Sequence, residues 1–213
     1  MLDFVYPPCC LSCQCSTVEM RCGLCELCWG QMAAGSKLEA DPIADCKSDV
    51  LGGDSLVWGD FDGALRRAIH ALKFQGRRRL GRELGRRMAE GMKCQLAEFD
   101  GLVPMPLHAA RLRERGYNQS MEIALGLAEV LCIPVLDGWV ERKKNTRQQA
   151  SLRAEERRAN MLGAFVWRRQ MIPGQVLGIV DDVVTTGATM MACIDAYPGA
   201  DRRRLQPVVL ARA

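Results

Sequence analysis

The segment VLGIVDDVVTTGATMMA, from Val176 to Ala192, is the part of the chain that decides the fold. Its apolar run Val176–Val180 has the length and composition of a buried strand in a parallel sheet, and the stretch ATMMACIDA, which begins at Ala188, predicts a helix after it. Two adjacent carboxylates, Asp181 and Asp182, stand between these elements. Like charges at the end of a core strand repel each other, so a ligand that needs both would explain them.

Extended and helical patterns alternate along the chain after residue 55. Alternation of this kind predicts an α/β fold in which a mostly parallel sheet is covered by helices on both faces. The other predicted helices are Leu65–Phe74, Leu80–Leu96 and Ser120–Cys132, and the other predicted strands are Leu102–Leu107, Val135–Val140, Ala164–Trp167 and Pro207–Ala211.

The residues around the carboxylate pair indicate a ribose 5-phosphate site. Open parallel sheets bind ligands beyond the carboxyl ends of their strands, where Asp181 and Asp182 would accept hydrogen bonds from vicinal sugar hydroxyls. The next loop offers backbone amides, hydroxyls and a helix N-terminus, which suit a phosphate; its residues are Thr185, Thr186, Gly187, Ala188 and Thr189. No lysine follows the glycine as in a P-loop, and no G-x-G-x-x-G opens a helix. The alternative without a ligand is a core strand, an acidic turn and a threonine helix cap.

The stretch IVDDVVTTGAT resembles the phosphoribosyl pyrophosphate (PRPP) motif of the type I phosphoribosyltransferases. Further segments resemble, in order, blocks of the ComF family, which is also called the GntX or amidophosphoribosyltransferase-like group: HALKFQGRRRLGRELGRRMA, VPMPLHAARLRERGYNQS, RKKNTRQQASLRAEERRANMLGAF and VVLAR. With the N-terminal cysteines they cover nearly the whole chain. The resemblance implies a type I phosphoribosyltransferase-like fold with PRPP as its ligand.

The resemblance also implies roles for individual segments. Asp181 and Asp182 would hold the ribose hydroxyls, and the threonine loop would hold the 5-phosphate. The turn after MPLH would correspond to the pyrophosphate loop, with Arg111 and Arg115 as binding residues. The chain departs from the family at Pro198, where the motif helix ends early, and this departure bears on the packing of the last strand.

A second basic segment, Lys143–Arg157, would correspond to the mobile loop that closes over PRPP in related transferases. Lys144 and Arg147 in it are, with the two aspartates, the candidate catalytic residues. The diphosphate of PRPP normally leaves as a magnesium complex, so Mg2+ is an implied cofactor.

Seven of the eleven cysteines lie between Cys9 and Cys28. In a reducing compartment such a cluster indicates a metal site rather than disulfides. Two C-x2-C knuckles separated by eleven residues would let four thiolates converge on a structural Zn2+; the predicted ligands are Cys10, Cys13, Cys25 and Cys28. Cys9, Cys15 and Cys22 keep other pairings open, including Cys22-x2-Cys25, and an iron–sulfur cluster is the alternative metal centre.

A run of arginines, GRRRLGRELGRRM, places positive charges about one helical turn apart with only Glu83 nearby to balance them. Most such runs are the solvated face of a helix, but this one is also a candidate surface for a polyanion. ComF-type proteins are associated with DNA uptake in competent bacteria, so the resemblance makes single-stranded DNA or competence proteins candidate partners. The run contains Arg77, Arg78, Arg79, Arg82, Arg86 and Arg87.

We therefore expect a zinc-binding module of the zinc-ribbon type at residues 1–35, a polar connector at 36–55 and a phosphoribosyltransferase-like domain at 56–213. The sequence has no signal-like start and no apolar run long enough to span a membrane, which predicts a cytoplasmic protein without membrane insertion. Two functions stay open: a phosphoribosyltransferase that transfers ribose 5-phosphate to a nitrogen nucleophile, and a non-catalytic PRPP sensor or DNA-binding protein.

Overall fold

The computed structural model describes residues 8–17, 19–35, 55–143 and 163–213. Within these ranges helices and strands alternate through most of the chain. The helices are α1 (Glu26–Gly35), α2 (Gly63–Phe74), α3 (Arg78–Gly91), α4 (Lys93–Leu96), α5 (Ala109–Arg115), α6 (Gln119–Leu131) and α7 (Ala188–Asp195), and the strands are β1 (Met20–Arg21), β2 (Leu24–Cys25), β3 (Leu56–Asp60), β4 (Gly101–Pro104), β5 (Val140–Arg142), β6 (Phe165–Trp167), β7 (Leu177–Val184) and β8 (Leu205–Arg212).

The centre of the fold is a four-stranded sheet in the order β3–β8–β7–β4. All three strand pairs are parallel. Both faces of this sheet are covered. Successive side chains of each strand point to opposite faces and therefore pack in different clusters. Leu102 and Val180 pack in one cluster with α3 and α6, whereas Val103 and Ile179 pack in a second cluster with α7 and β6. The predicted α/β fold class is thereby confirmed.

Several boundaries differ from the sequence prediction. The predicted strand Val135–Val140 is wrong: Val135 makes a single parallel bridge with Leu102, and β5 begins at Val140 and pairs antiparallel with β6. The predicted helix Leu80–Leu96 is two helices, because Met92 leaves the helical conformation after Gly91. Strand β3 and helix α5 were not predicted; both are short, and β3 is formed through pairing with the distant β8.

Helices α3 and α6 approach each other through two glycines. A Cβ on Gly85 would lie 2.2 Å from the carbonyl oxygen of Ile123, and one on Gly126 would lie 2.0 Å from that of Arg82. Any side chain at either position would force the helices apart. This contact sets the position of α6, whose first turn carries a residue of the candidate site.

The N-terminal module consists of the β1–β2 hairpin and α1, and its buried residues Leu24 and Trp29 belong to the same hydrophobic cluster as α2 and α3. The guanidinium carbon of Arg87 lies 5.2 Å from the centroid of the Trp29 ring. Arg21 forms an ion pair with the buried Glu83 at 3.2 Å. The module therefore packs against helices α2 and α3 of the α/β domain.

Candidate functional site

The carboxylate pair lies inside β7, near its end. Strand β4 ends at Pro104, which pairs with Val180, whereas the ladder between β7 and β8 continues to Val184. Asp181 and Asp182 therefore extend past the carboxyl end of one neighbouring strand while the other neighbour still holds their backbone. This arrangement fixes both side chains on a rigid element at the edge where parallel sheets bind ligands.

Both carboxylates have partners from distant parts of the chain. Asp181 Oδ1 accepts hydrogen bonds from Ser120 Oγ and from the Asp182 amide, each at 2.9 Å. Lys73 Nζ lies 3.0 Å from Asp182 Oδ1. Asp182 is only 3% exposed, and its Oδ2 is buried without a hydrogen-bond partner among the described residues. A buried, unsatisfied carboxylate oxygen is costly, which favours a ligand group or cation at this position.

The environment of Asp181 favours its neutral form. Burial, and then the charge of Asp182, raises the pKa of Asp181 to about 7. Hydrogen bonds from Ser120 and the Asp182 amide, together with the charge of Lys73, oppose this rise but do not cancel it. Arg142 belongs to the same electrostatic environment: burial lowers its pKa, and the charge of Asp181 acts in the opposite direction.

Ser120 is held in place by the local structure of the α6 N-terminus. Asn118 is the N-cap, and its side-chain oxygen accepts from the Ser120 amide at 3.0 Å, while its Nδ2 donates to the Met105 carbonyl at 3.0 Å. The cap is therefore Asn118, two residues before Ser120. The Ser120 hydroxyl is consequently free to donate to Asp181.

The threonine loop links β7 to α7. Thr185 and Thr186 are exposed, and Gly187 has φ 69° and is the N-cap of α7. A positive φ favours glycine, and because glycine has no side chain, it cannot cap the first amide groups of the helix. These amides and the neighbouring hydroxyls of Thr186 and Thr189 are suited to an anion.

A cleft of about 160 Å³, lined mainly by cationic side chains and also by the acidic Glu114, lies against Lys73, whose ammonium contacts Asp182. The other cations of its lining are Arg111 and Arg115, which stand one turn apart on α5. Arg115 also donates a hydrogen bond to Gln119. The structure therefore brings the two predicted binding arginines together with Lys73, which stands in the otherwise apolar run IHALKF. Lys144 and Arg147 lie outside the described residues.

Four cysteine thiols converge in the N-terminal module, and all four sulfur atoms lie within 4.8 Å of one another. The separations are 3.7 Å between Cys10 and Cys28 and 3.6 Å between Cys13 and Cys25. A tetrahedral zinc ion with zinc–sulfur bonds of about 2.3 Å needs sulfur atoms about 3.8 Å apart. These four residues could therefore hold a metal ion such as zinc.

Backbone amides support this thiol cluster. The amides of Ser12 and Cys25 each lie 3.4 Å from the Cys10 sulfur. Burial acts to raise the pKa of Cys10, but amide hydrogen bonds outweigh it and lower the pKa to about 6. Cys15, whose sulfur lies 3.2 Å from that of Cys13, is an additional exposed thiol at the rim. The thiolate form required of a metal ligand is thus favoured at Cys10.

The arginine run on α3 is balanced by acidic residues of α6. Arg78 and Arg82 both bond to the buried Glu122, at 2.9 and 3.1 Å. Arg86 pairs with Glu129 at 2.6 Å. Glu83 is the local counter-charge expected from the sequence, and further counter-charges come from a helix that is distant in sequence. Much of the positive charge on this face serves helix packing.

No helix within the described ranges has the length and apolarity needed to cross a membrane.

No protein-family model matches the chain. It is 30% identical over 198 residues to competence protein F of Haemophilus influenzae, which covers 85% of this chain and 86% of that protein. It is 33% identical over 181 residues to the DNA utilization protein YhgH of Salmonella typhimurium, with 81% of this chain and 77% of that protein covered. A YhgH protein of Escherichia coli K12 is 33% identical over 150 residues, 62% of this chain and 60% of its own length. The chain belongs to the ComF family of competence protein F.

Proposed function

We propose that this chain binds PRPP at the carboxyl edge of its parallel sheet. The observation that carries the proposal is the ion pair between Lys73 and Asp182, which joins a carboxylate pair to a cation-lined cleft. PRPP presents the same combination in one molecule, since its ribose hydroxyls donate to carboxylates and its diphosphate needs cations.

Each part of PRPP has a counterpart among the residues. Asp181 and Asp182 would accept hydrogen bonds from the ribose hydroxyls. The amides and hydroxyls from Thr185 to Thr189, including those of Thr186, Gly187 and Ala188, would hold the 5-phosphate. Arg111, Arg115 and Lys73 would face the diphosphate, and Lys144 and Arg147 remain predicted catalytic cations.

The residues also fit a magnesium ion that arrives with PRPP. The buried Oδ2 of Asp182, which has no hydrogen-bond partner in the part of the chain that the structure describes, is a hard oxygen ligand of the kind that Mg2+ prefers. When bound, Mg2+ supplies positive charge that stabilises the leaving diphosphate. Asp182 would then exchange part of its contact with Lys73 for the ligand, leaving the lysine ammonium for the diphosphate.

Two activities are compatible with such a site. In a transferase, a nitrogen of the acceptor forms a bond to C1 of the ribose while the bond from C1 to the diphosphate oxygen breaks, pyrophosphate leaves with the electron pair, and the nitrogen loses its proton to water. In a sensor, PRPP binds without turnover. Measuring pyrophosphate release from PRPP with and without candidate acceptors distinguishes the two.

The binding proposal is tested by calorimetry with PRPP and magnesium. Asp182→Asn removes a charge-assisted acceptor, which should weaken binding about tenfold or more, because hydrogen bonds to charged groups contribute roughly 1.5–3 kcal/mol. The matched control is Asp195→Asn, an exposed carboxylate on α7. Absence of wild-type binding at millimolar PRPP, or equal affinities of both variants, would overturn the proposal.

We further propose that the metal of the thiol cluster is zinc and that it stabilises the N-terminal module. Four convergent thiols match the ligand set of structural zinc sites. Cysteine thiols stay reduced in a reducing compartment, where they can bind zinc as thiolates. A cytoplasmic location is therefore part of this proposal.

The names of the relatives favour a role in DNA uptake or utilization, and single-stranded DNA is the second candidate ligand. Because Arg78, Arg82 and Arg86 are committed to ion pairs with acidic side chains, the exposed Arg77 and Arg79 are better candidates for phosphate contacts on this helix. A DNA contact of this kind is recognised by an affinity that falls log-linearly as salt rises.

A further inference from the structure

Cys15 is a fifth thiol beside the four that converge in the N-terminal module. Its sulfur lies 3.2 Å from that of Cys13, and both of these side chains are exposed, whereas the other three cysteines of the cluster are buried. Gln14, between them, has φ 61°, a left-handed conformation that is uncommon for a residue with a side chain. This turn brings Cys15 back to the sulfur of Cys13, so the pair forms the exposed corner of the cluster.

The backbone holds Cys15 at this corner. Its carbonyl accepts a hydrogen bond from the Cys10 amide at 2.9 Å, and the Cys10 carbonyl accepts one from the Gln14 amide at 3.0 Å. Both contacts are local to the first knuckle, so they do not depend on the α/β domain. A thiol that is fixed beside a metal ligand is present at a high local concentration whenever that ligand releases the metal.

The sulfur spacings indicate that Cys13 and Cys15 compete for the metal rather than bind it together. Ligands of a tetrahedral zinc ion need sulfur atoms about 3.8 Å apart. The separations of Cys10 from Cys28 and of Cys13 from Cys25, at 3.7 and 3.6 Å, are close to this value. The 3.2 Å between Cys13 and Cys15 is shorter than two corners of one tetrahedron require. Structural zinc sites are four-coordinate, so only one of these two thiols has a place among the ligands at a time.

We propose that Cys15 is an alternative metal ligand that shares one coordination position with Cys13. This inference rests on the proposal that the thiol cluster binds zinc. In the exchange, the bond from zinc to the Cys13 sulfur breaks as a bond to the Cys15 sulfur forms. The Cys15 proton passes to the released Cys13 thiolate, so the net charge of the site is unchanged. Because this corner is exposed, the exchange provides the route by which metal enters and leaves the module.

Metal content tests the shared position. Cys13→Ala should keep stoichiometric zinc, with its affinity lowered by no more than about 10- to 100-fold, the range typical of changes beside a metal ligand. The double variant Cys13→Ala/Cys15→Ala should lose the metal, as should Cys28→Ala, the matched control at a buried ligand. The visible spectrum of bound cobalt(II) reports the number of thiolate ligands, and Cys13→Ala should retain the four-thiolate spectrum of the wild type.

The rate of metal exchange is a second test, which leaves all four converging cysteines in place. Cys15→Ala should hold zinc but transfer it to a chelator several-fold more slowly than the wild type. Cys9→Ala, at another exposed thiol of the module, is the control and should transfer zinc at the wild-type rate. A thiol that merely supported Cys13 through a hydrogen bond would have the opposite effect, because its loss weakens metal binding.

Unchanged or faster zinc transfer from Cys15→Ala would therefore overturn the inference. A three-thiolate cobalt spectrum in Cys13→Ala would also overturn it, as would loss of the metal from a Cys13→Ala variant that still folds. Wild-type protein that contains no zinc would instead overturn the zinc proposal itself, so the two failures are distinguishable.

Discussion

The thiol cluster and the carboxylate pair each bring together groups that repel each other when charged. The partners that offset this repulsion differ between the two sites. The Cys10 sulfur accepts hydrogen bonds from backbone amides of its own module, those of Ser12 and Cys25. The carboxylates instead take their partners, Lys73 and Ser120, from helices α2 and α6. A metal held by the thiols would therefore depend mainly on the module itself, whereas a ligand at the carboxylates would have to exchange contacts that distant helices supply.

The largest effect is expected from a change in the thiol cluster. Cys25→Ser removes one of four convergent ligands, so the protein should lose its stoichiometric zinc and residues 8–35 should lose protection from proteolysis, since structural zinc contributes on the order of 10 kcal/mol to such modules. Metal analysis and limited proteolysis measure both outcomes. Cys15→Ser, at the exposed rim thiol, is the control and should keep the zinc. Full zinc content in Cys25→Ser would show that the module uses other ligands.

An intermediate effect is expected from pH at the carboxylate pair. Because the pKa of Asp181 is raised to about 7, this residue is increasingly protonated below that pH and loses its strength as an acceptor for ribose hydroxyls. PRPP affinity should therefore fall as the pH decreases from about 8 to 6, by up to about tenfold per pH unit. Calorimetry over this range tests it. The phosphates of PRPP also titrate, so Asp181→Asn supplies the reference profile, and identical slopes for both proteins would refute the role of Asp181.

The smallest effect is expected in the stability of the two aspartate variants. The pKa of Asp181 rises from an ordinary 3.8 to about 7 on folding, so its favourable contribution is fully present below about 3.8 and is lost as the pH rises through about 7. Asp181→Asn should consequently raise the Tm at pH 8 by about 2–4 °C, the shift that corresponds to about 1 kcal/mol in a chain of this size.

Asp182→Asn is the matched comparison, because it breaks the ion pair with Lys73 and should leave the Tm at pH 8 unchanged or lower it. Thermal unfolding of both variants at that pH measures the difference. A lower Tm for Asp181→Asn would show that the Ser120 hydrogen bond outweighs the repulsion between the carboxylates.

The sequence predicted what short segments encode. The C-x2-C pairs bring thiols together because two residues between cysteines form a tight knuckle, and the structure places the four predicted cysteines in one cluster. The stretch around Asp181 predicted a strand, a loop and a helix in that order, and β7 and α7 have this order. The predicted strand end at Val180 was four residues early, because charged residues were assumed to end a ladder that β8 extends to Val184.

Contacts between distant segments were not predictable in this way. The arginine run could not reveal that Glu122 and Glu129 would face it, because those partners depend on how α6 crosses α3. That crossing depends on Gly85 and Gly126. In the sequence alone these glycines only lower the helix propensity of their segments. The ion pair of Lys73 could not be predicted for the same reason, since its partner Asp182 lies on a strand near the other end of the chain.

The sequence by itself predicted the class of the fold, the four cysteines that converge and the order of acidic and threonine residues along the β7–α7 segment, because strand, loop and knuckle patterns each span only a few residues. The tertiary structure alone decided which charges are paired and which remain for a ligand. It joined Asp182 to Lys73 and Asp181 to Ser120, and it placed Lys73 of α2 in one cleft with Arg111 and Arg115 of α5. The physical reason is that the free energy of a charge depends on its burial and its partners, and close packing of distant elements sets both.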